Sequence, residues 1–222
     1  METVEYAPGR LVDLFGDPGP RTALLWHGQQ SNARAAVRPL AELVAAHGFA
    51  VVAPDWNSHA DDGGRADLLQ SVDFAREHAE DPDSLVLVGW SLGGAAAAGL
   101  TVQASRRGVR FAHTVCLAGA FKVPDPIFGK LPAAGLSEEP NRSPFTLLHG
   151  VADDAVPVAW SREFASALEQ NAWPVQLVEL RADHGSIAGA VYDPVADAYS
   201  AAADDTTLAI AAEVAARIAA TP

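Results

Sequence analysis

A mostly parallel β-sheet covered by helices on both faces, an α/β fold, is the class this 222-residue chain predicts. Apolar runs of β type alternate with stretches of helical spacing along most of the chain, the pattern from which βαβ units are assembled. Residues 84–88 are apolar and rich in β-branched side chains, as a central parallel strand must be when both its faces are buried. That run turns through Gly89, Trp90, Ser91, Leu92 and Gly93 into four consecutive alanines at 95–98, a helix with so little bulk that it can lie close on a sheet. The length is enough to bury one good core, so a single domain spanning 1–222 is expected.

The elements follow in order. Residues 21–26 form an apolar strand ending at His27-Gly28. Residues 33–47 carry Val37, Leu40 and Val44 at helical spacing, with Gly48 as a C-terminal stop. A strand at 49–53 is ended by Pro54, and 65–80 read as an amphipathic helix. After the 84–88 strand and its helix, strands are expected at 112–118 and 145–148, a helix at 158–171, a strand at 175–180 and a final helix at 206–219. Asp204 and Asp205 precede that last helix at its positive end. Two stretches break the alternation. Residues 119–143 are rich in Pro and Gly yet carry Phe121, Ile127, Phe128 and Leu131, and residues 186–203 contain Tyr192 and Tyr199. Long irregular segments in a compact domain tend to be functional, so a small lid is expected from 119–143 and a site-rim insertion from 186–203.

The turn at 89–93 has the form of a nucleophile elbow, Gly-x-Ser-x-Gly between a strand and a helix. Ser91 is the candidate nucleophile. Glycine is needed two residues to either side because a Cβ there would meet neighbouring backbone, and the N–H of Leu92 opens the helix where an oxyanion can be held.

A serine hydroxyl needs a base within reach and a carboxylate to orient that base. In an open parallel sheet the reacting groups collect beyond the carboxyl ends of the strands. Of seven histidines, His47 and His78 fall within or at the ends of helices and His113 in a strand. His59 lies in a polar loop, while His184 follows the 175–180 strand and is the best placed base. The orienting acid is sought after the 145–148 strand, in LLHGVADDAVPV, where Asp153 and Asp154 leave the strand end. One of the two reads as a helix cap and the other is free to face His184; Asp183 and Asp125 are weaker alternatives. A second oxyanion donor is expected just after His27-Gly28, with the backbone of Gln29 best placed, and His27 itself is read as a structural hydrogen-bonding residue. Trp90, Trp56 and the region from Phe121 to Leu131 are expected to supply apolar walls for the substrate.

With Ser91, Asp153 and His184 in that chain order, His27-Gly28 after the first strand and HGxxDxxVP at 149–157, the chain resembles the α/β-hydrolases, and its compact size is similar to that of dienelactone hydrolases. The resemblance implies an acyl-enzyme mechanism in which Ser91 attacks a carbonyl carbon, His184 moves the proton, Asp153 holds the imidazolium, and Leu92 and Gln29 bind the oxyanion. It also implies that His149 and Gly150 form a structural turn. Serine in place of aspartate argues against dehalogenase or epoxide hydrolase chemistry. The HGQQ loop lacks the extra glycines of the HGGG type.

Hydrolysis of a small carboxylic ester is the leading expectation. A thioesterase, amidase or peptidase on the same triad, a ligand-binding member and a lyase-type member remain alternatives. The net charge of −13, from 28 acidic and 15 basic residues, argues against nucleic acid and for a small neutral or cationic ligand. The expected partners are therefore a small-molecule substrate, with no nucleic acid and no membrane, and the chain is compatible with a homodimer. Cys116 is the single cysteine, so no intramolecular disulfide forms. No cofactor is expected. Asp55, His59, Asp61 and Asp62 cluster in DWNSHADD, but a solvated turn explains them and no metal is expected. The N-terminus has neither a basic nor an apolar leader region, so a cytoplasmic location is expected.

Overall fold

The computed structural model describes residues 1–221. Eight strands form one sheet: β1 (Glu2–Ala7), β2 (Arg10–Phe15), β3 (Thr22–Trp26), β4 (Ala50–Pro54), β5 (Val86–Trp90), β6 (His113–Leu117), β7 (Phe145–Gly150) and β8 (Val175–Leu180), in the order β1-β2-β4-β3-β5-β6-β7-β8. The strands from β3 onward pair in parallel. β1 and β2 form an antiparallel hairpin that joins the edge through β4. The chain moves one way from β3 to β4 and the other way from β5 to β8, so the order reverses between β3 and β5. Crevices for ligands open at such a reversal, beyond the carboxyl ends of the strands.

Alternation along each strand divides the core. Ala23, Leu25, Val86 and Val88 face α1 (Arg38–Ala46) and α5 (Asp205–Ala219), whose Leu40, Val44, Val214 and Ile218 pack against them. Leu24, Trp26, Leu85 and Leu87 face α2 (Arg65–His78) and α3 (Leu92–Thr101). α3 also packs with α4 (Val158–Gln170) over β6 and β7 through Ala98, Phe164, Leu168 and Phe145. Strands β3, β5 and β6 are buried at every residue, which is why their sequences read as continuous apolar runs rather than as alternating ones.

Every strand and helix expected from the sequence is present, and outside the 33–47 stretch the expected ends coincide with the observed ones or lie within two residues of them. The stretch expected as one helix from 33 opens with a 3-10 turn, Arg34–Val37, before α1 begins with Pro39 in its first turn. Two hairpins were not expected. One is β1–β2; the other lies inside the 186–203 stretch and pairs β9 (Ala190–Asp193) with β10 (Ala198–Ala201) in register Tyr192 to Tyr199. In 119–143, Phe121 and Leu136 are buried against α4 and β7, and Ile127 in the cluster of α2 and α3. Asp125 accepts from the N–H groups of Ile127 and Phe128, which fixes the turn there. No helix among the described residues is long and apolar enough to cross a membrane.

Candidate active site

Ser91 sits between β5 and α3 with φ 57° and ψ −118°, a backbone state that costs of order 1–3 kcal/mol and persists only where its surroundings enforce it. The enforcement is visible in the glycines. A Cβ on Gly89 would lie 2.2 Å from the Gly93 carbonyl oxygen, and one on Gly93 would lie 2.3 Å from the His27 carbonyl oxygen. The Ser91 N–H donates to the Leu117 carbonyl and its own carbonyl accepts from Ala95 and Ala120, so the turn is tied to β6, to α3 and to the segment after β6. Its hydroxyl makes no hydrogen bond to any described residue.

His184 and Asp153 come together beside it. His184 Nδ1 donates to Asp153 Oδ2 at 2.8 Å, and both side chains are buried. The other carboxylate oxygen accepts from the backbone N–H of Ala155 (2.9 Å) and Val156 (2.7 Å). Asp153 therefore both caps the turn before α4 and holds the histidine, two roles that the sequence reading had divided between neighbouring aspartates. Asp154 is exposed. Asp183 accepts from the Ser186 N–H instead, and Asp125 lies in the loop after β6 with its carboxylate turned to its own turn.

A second imidazole also reaches Asp153. His149 Nε2 is 2.9 Å from the Val156 carbonyl and 3.3 Å from Asp153 Oδ2. A carbonyl only accepts, so Nε2 carries the proton, and the Ser161 hydroxyl donates to Nδ1 at 2.6 Å. Burial would push the Asp153 carboxyl up, but the hydrogen bonds from His149 and His184 and from the Val156 N–H overcome it. The carboxyl is held well below the usual carboxylate range. Asp153 is thus a fixed negative charge, and His149 is a structural support that the sequence reading had assigned only to the turn.

Ser91, His184, Gln29 and Leu92 line one cavity of about 330 Å³. The backbone N–H groups of Gln29 and Leu92 donate to no described residue, which leaves both free for an oxyanion. The loop carrying Gln29 is held from below by His27. Its Nδ1 donates to the Gly28 carbonyl at 2.8 Å, and Nε2 accepts from the N–H groups of Ala33 and Trp56 at 3.2 Å each. Burial lowers the His27 imidazole to about 4, so it stays neutral and keeps those roles. Arg34 ties the same region to Asp13 and Asp55, and Asp62 accepts from Gly64 and Ala66 at the start of α2.

The expected apolar walls are only partly where the sequence placed them. Trp90 lines the cavity, though its indole N–H is committed to the His184 carbonyl at 2.8 Å. Trp56 does not line it; it is fully buried and stacked on His27 with ring centroids 5.2 Å apart. Phe121 does not either, being stacked on Phe164 at 4.2 Å in the core. The walls come instead from Trp160 at the start of α4, Val156, Ala120, Val123 and Tyr199. Tyr199, on β10, meets the Trp90 ring edge-on at 4.9 Å and lies 5.7 Å from the His184 ring. Gln30 fixes this hairpin to the loop, its Oε1 accepting from the Tyr199 N–H at 2.8 Å and its Nε2 donating to the Tyr199 carbonyl at 3.2 Å.

A doubly covered parallel sheet with a strained serine at its reversal point, a histidine–aspartate pair beside it and two free N–H groups defines the α/β-hydrolase class. The sequence profile of the alpha/beta hydrolase family matches residues 19–221, and the chain belongs to that family. The fold is that of an esterase from Thermogutta terrifontis. Its propionate-bound structure is 21% identical over 98% of this chain and 94% of that one, with a TM-score of 0.69. The same esterase phosphonylated by sarin is 19% identical over the same shares, with a TM-score of 0.73. No curated protein matches the sequence closely enough to count as a relative.

Proposed function

We propose that the protein is a serine hydrolase that cleaves small carboxylic esters through an acyl-enzyme on Ser91. The observation that carries this is the convergence, on one cavity, of a strained serine, a histidine bonded to a buried ionised aspartate, and two backbone N–H groups without partners. The Ser91 oxygen attacks the ester carbonyl while His184 Nε2 takes its proton, and the carbonyl oxygen becomes an anion held by Gln29 and Leu92. The C–O bond to the alcohol then breaks as His184 returns that proton to the departing oxygen. Water enters, gives a proton to His184 and attacks the acyl carbon; the carboxylic acid leaves as Ser91 is reprotonated. Asp153, ionised throughout, keeps Nδ1 protonated and stabilises the imidazolium.

The acyl side is small. Trp160, Val156, Val123 and Ala120 close around a cavity of about 330 Å³, near the lower end of ligand pockets. Short acyl groups fit this space. The Thermogutta esterase, whose structures were determined with propionate and with butyrate bound, supports the same reading.

Labelling with a fluorophosphonate followed by peptide mapping, beside turnover of p-nitrophenyl esters from acetate to decanoate, tests it. The expected result is an adduct on Ser91 and turnover that peaks at short chains. Ser91→Ala should lower kcat by about 10⁶-fold while the circular dichroism spectrum is retained. Asp153→Asn should lower it by about 10⁴-fold, and Asp154→Asn by far less. A labelled serine other than Ser91, or full turnover by Ser91→Ala, removes the proposed nucleophile.

A further inference from the structure

A second, larger cavity of about 780 Å³ adjoins the first on the His184 side and shares His184, Tyr199 and Ala155 with it. Its charged and aromatic lining is Asp154, Asp183, Tyr192 and Tyr199, with no lysine or arginine among its lining residues. Resting on the proposed esterase reading, we infer that this cavity receives the alcohol half of the substrate and that the alcohol it selects carries a positive charge, as an alkylammonium group does.

Placement on the alcohol side follows from the proton. His184 is 4% exposed, and its Nδ1 is occupied by Asp153. Its Nε2 has no partner among the described residues, so it is the atom that must face the departing oxygen. Whatever that oxygen carries lies next to His184, and the second cavity, which shares His184, Tyr199 and Ala155 with the first, is the adjoining space open to it. The first cavity, among Trp160, Val156 and Val123, is then left to the acyl chain.

Preference for a cation follows from the lining. Asp154 and Asp183 are exposed at the cavity. Burial first, and then the field of Asp153, Asp154 and Asp183, pushes the Tyr199 phenol up to about 12. The same field that resists a phenolate would repel an anionic substrate and attract a cationic one. Tyr192 and Tyr199 stand with ring centroids 5.1 Å apart at 50°, offering two tilted faces. The Tyr192 hydroxyl is anchored by donation to Asp197 at 2.6 Å. Aromatic faces beside carboxylates suit a quaternary or alkylated ammonium, whose charge is spread over methyl groups.

The experiment compares kcat/KM for acetylcholine, its uncharged isostere 3,3-dimethylbutyl acetate, and 4-acetoxybutanoate, at low and at 0.5 M salt. The choline ester should exceed the isostere by about tenfold at low salt, the anionic ester should be the poorest, and the spread should narrow at high salt because the carboxylates are exposed. Asp154→Asn, which removes a charge with no hydrogen bond to a described residue, should reduce the choline-to-isostere ratio. Asp154→Asn with Asp183→Asn should bring it close to one. Equal turnover of the three esters, or a preference that survives both substitutions, overturns the inference while the esterase reading stands. Turnover of none of them, nor of p-nitrophenyl acetate, instead removes the esterase reading.

Discussion

The turn from β5 into α3 and the β9–β10 hairpin both reach the cavity at Ser91, and they are built in opposite ways. Around the turn, Val86–Trp90 is buried throughout, Gly93–Thr101 likewise, and a single added Cβ would strike backbone at Gly89 or Gly93. The hairpin shows Val191, Tyr192 and Val195 to solvent, the last at 95%. It is tied to the body through Gln30, through packing of Tyr199 on Trp90, and through the Ala202 N–H donating to Gly189. Reacting atoms need positions fixed to a fraction of an ångström, and only close packing supplies that. A cavity wall away from those atoms does not have the same requirement, and here part of it, at Tyr199, comes from a short, exposed element.

The contrast is broken most directly by one substitution in each region. Gly89→Ala places its methyl against the Gly93 carbonyl, in backbone that cannot yield without disturbing Ser91. A loss of about 3 kcal/mol or more in unfolding free energy is expected, together with most of the activity. Val195→Ser, at the hairpin tip, should change stability by less than about 0.5 kcal/mol. Urea unfolding of both variants measures the difference, and comparable losses would show that the two regions are equally constrained.

The same contrast explains what could be read from the sequence. β3, β5, β6 and β7 are buried on both faces, so their apolar runs declared them. The Gly-x-Ser-x-Gly spacing is forced by backbone contacts under 2.5 Å, so it too was written in residue types; strand ends pointed to His184 and to Asp153 or Asp154, and only the family resemblance singled out Asp153. The walls were not legible in this way. Trp56 and Phe121 follow the ends of β4 and β6 in sequence, but a large apolar side chain just after a strand is as readily core as cavity, and both are core. Trp160 sits on an amphipathic helix at a spacing no different from that of its buried neighbours Ser161 and Phe164. The hairpins β1–β2 and β9–β10 are short and half-exposed, with charged residues or small polar residues among their alternating positions, so burial left only a weak imprint on them.

On the packed side, stability depends on pH. The folded His27 imidazole lies at about 4 because burial disfavours its charged form, while in the unfolded chain it takes a proton near 6.5. Between those values the unfolded state binds a proton that the folded state refuses. Stability conferred by the neutral ring is therefore complete above about 6.5 and falls as the pH drops toward 4, by about 3 kcal/mol in all. His113, also lowered to about 4 by burial, acts in the same direction. Asp153 is depressed, so its contribution is present above the unfolded carboxylate range and is lost only at lower pH. Unfolding free energy measured from pH 7 to 4 should decline, and His27→Gln, though less stable at pH 7, should decline less steeply. An unchanged slope in that variant would place the acid sensitivity elsewhere.

A smaller loss than that of Gly89→Ala is expected where the two regions meet. Gln30 follows the proposed oxyanion donor Gln29 and holds the backbone of Tyr199 with both ends of its amide. It passes positional order from the packed loop to the exposed hairpin. Gln30→Ala removes two hydrogen bonds, each of about 1 kcal/mol, from an element with few other ties. Amide exchange in residues 190–201 should quicken, while that of β5 and α3 stays as it was. Because Tyr199 packs on both Trp90 and His184, kcat/KM for p-nitrophenyl butyrate should fall by about tenfold, the equivalent of 1.4 kcal/mol in the transition state. If exchange in the hairpin quickens and the rate does not change, the hairpin bounds the cavity without ordering the chemistry. If both change together, the loosely packed wall is also part of what holds His184 in place.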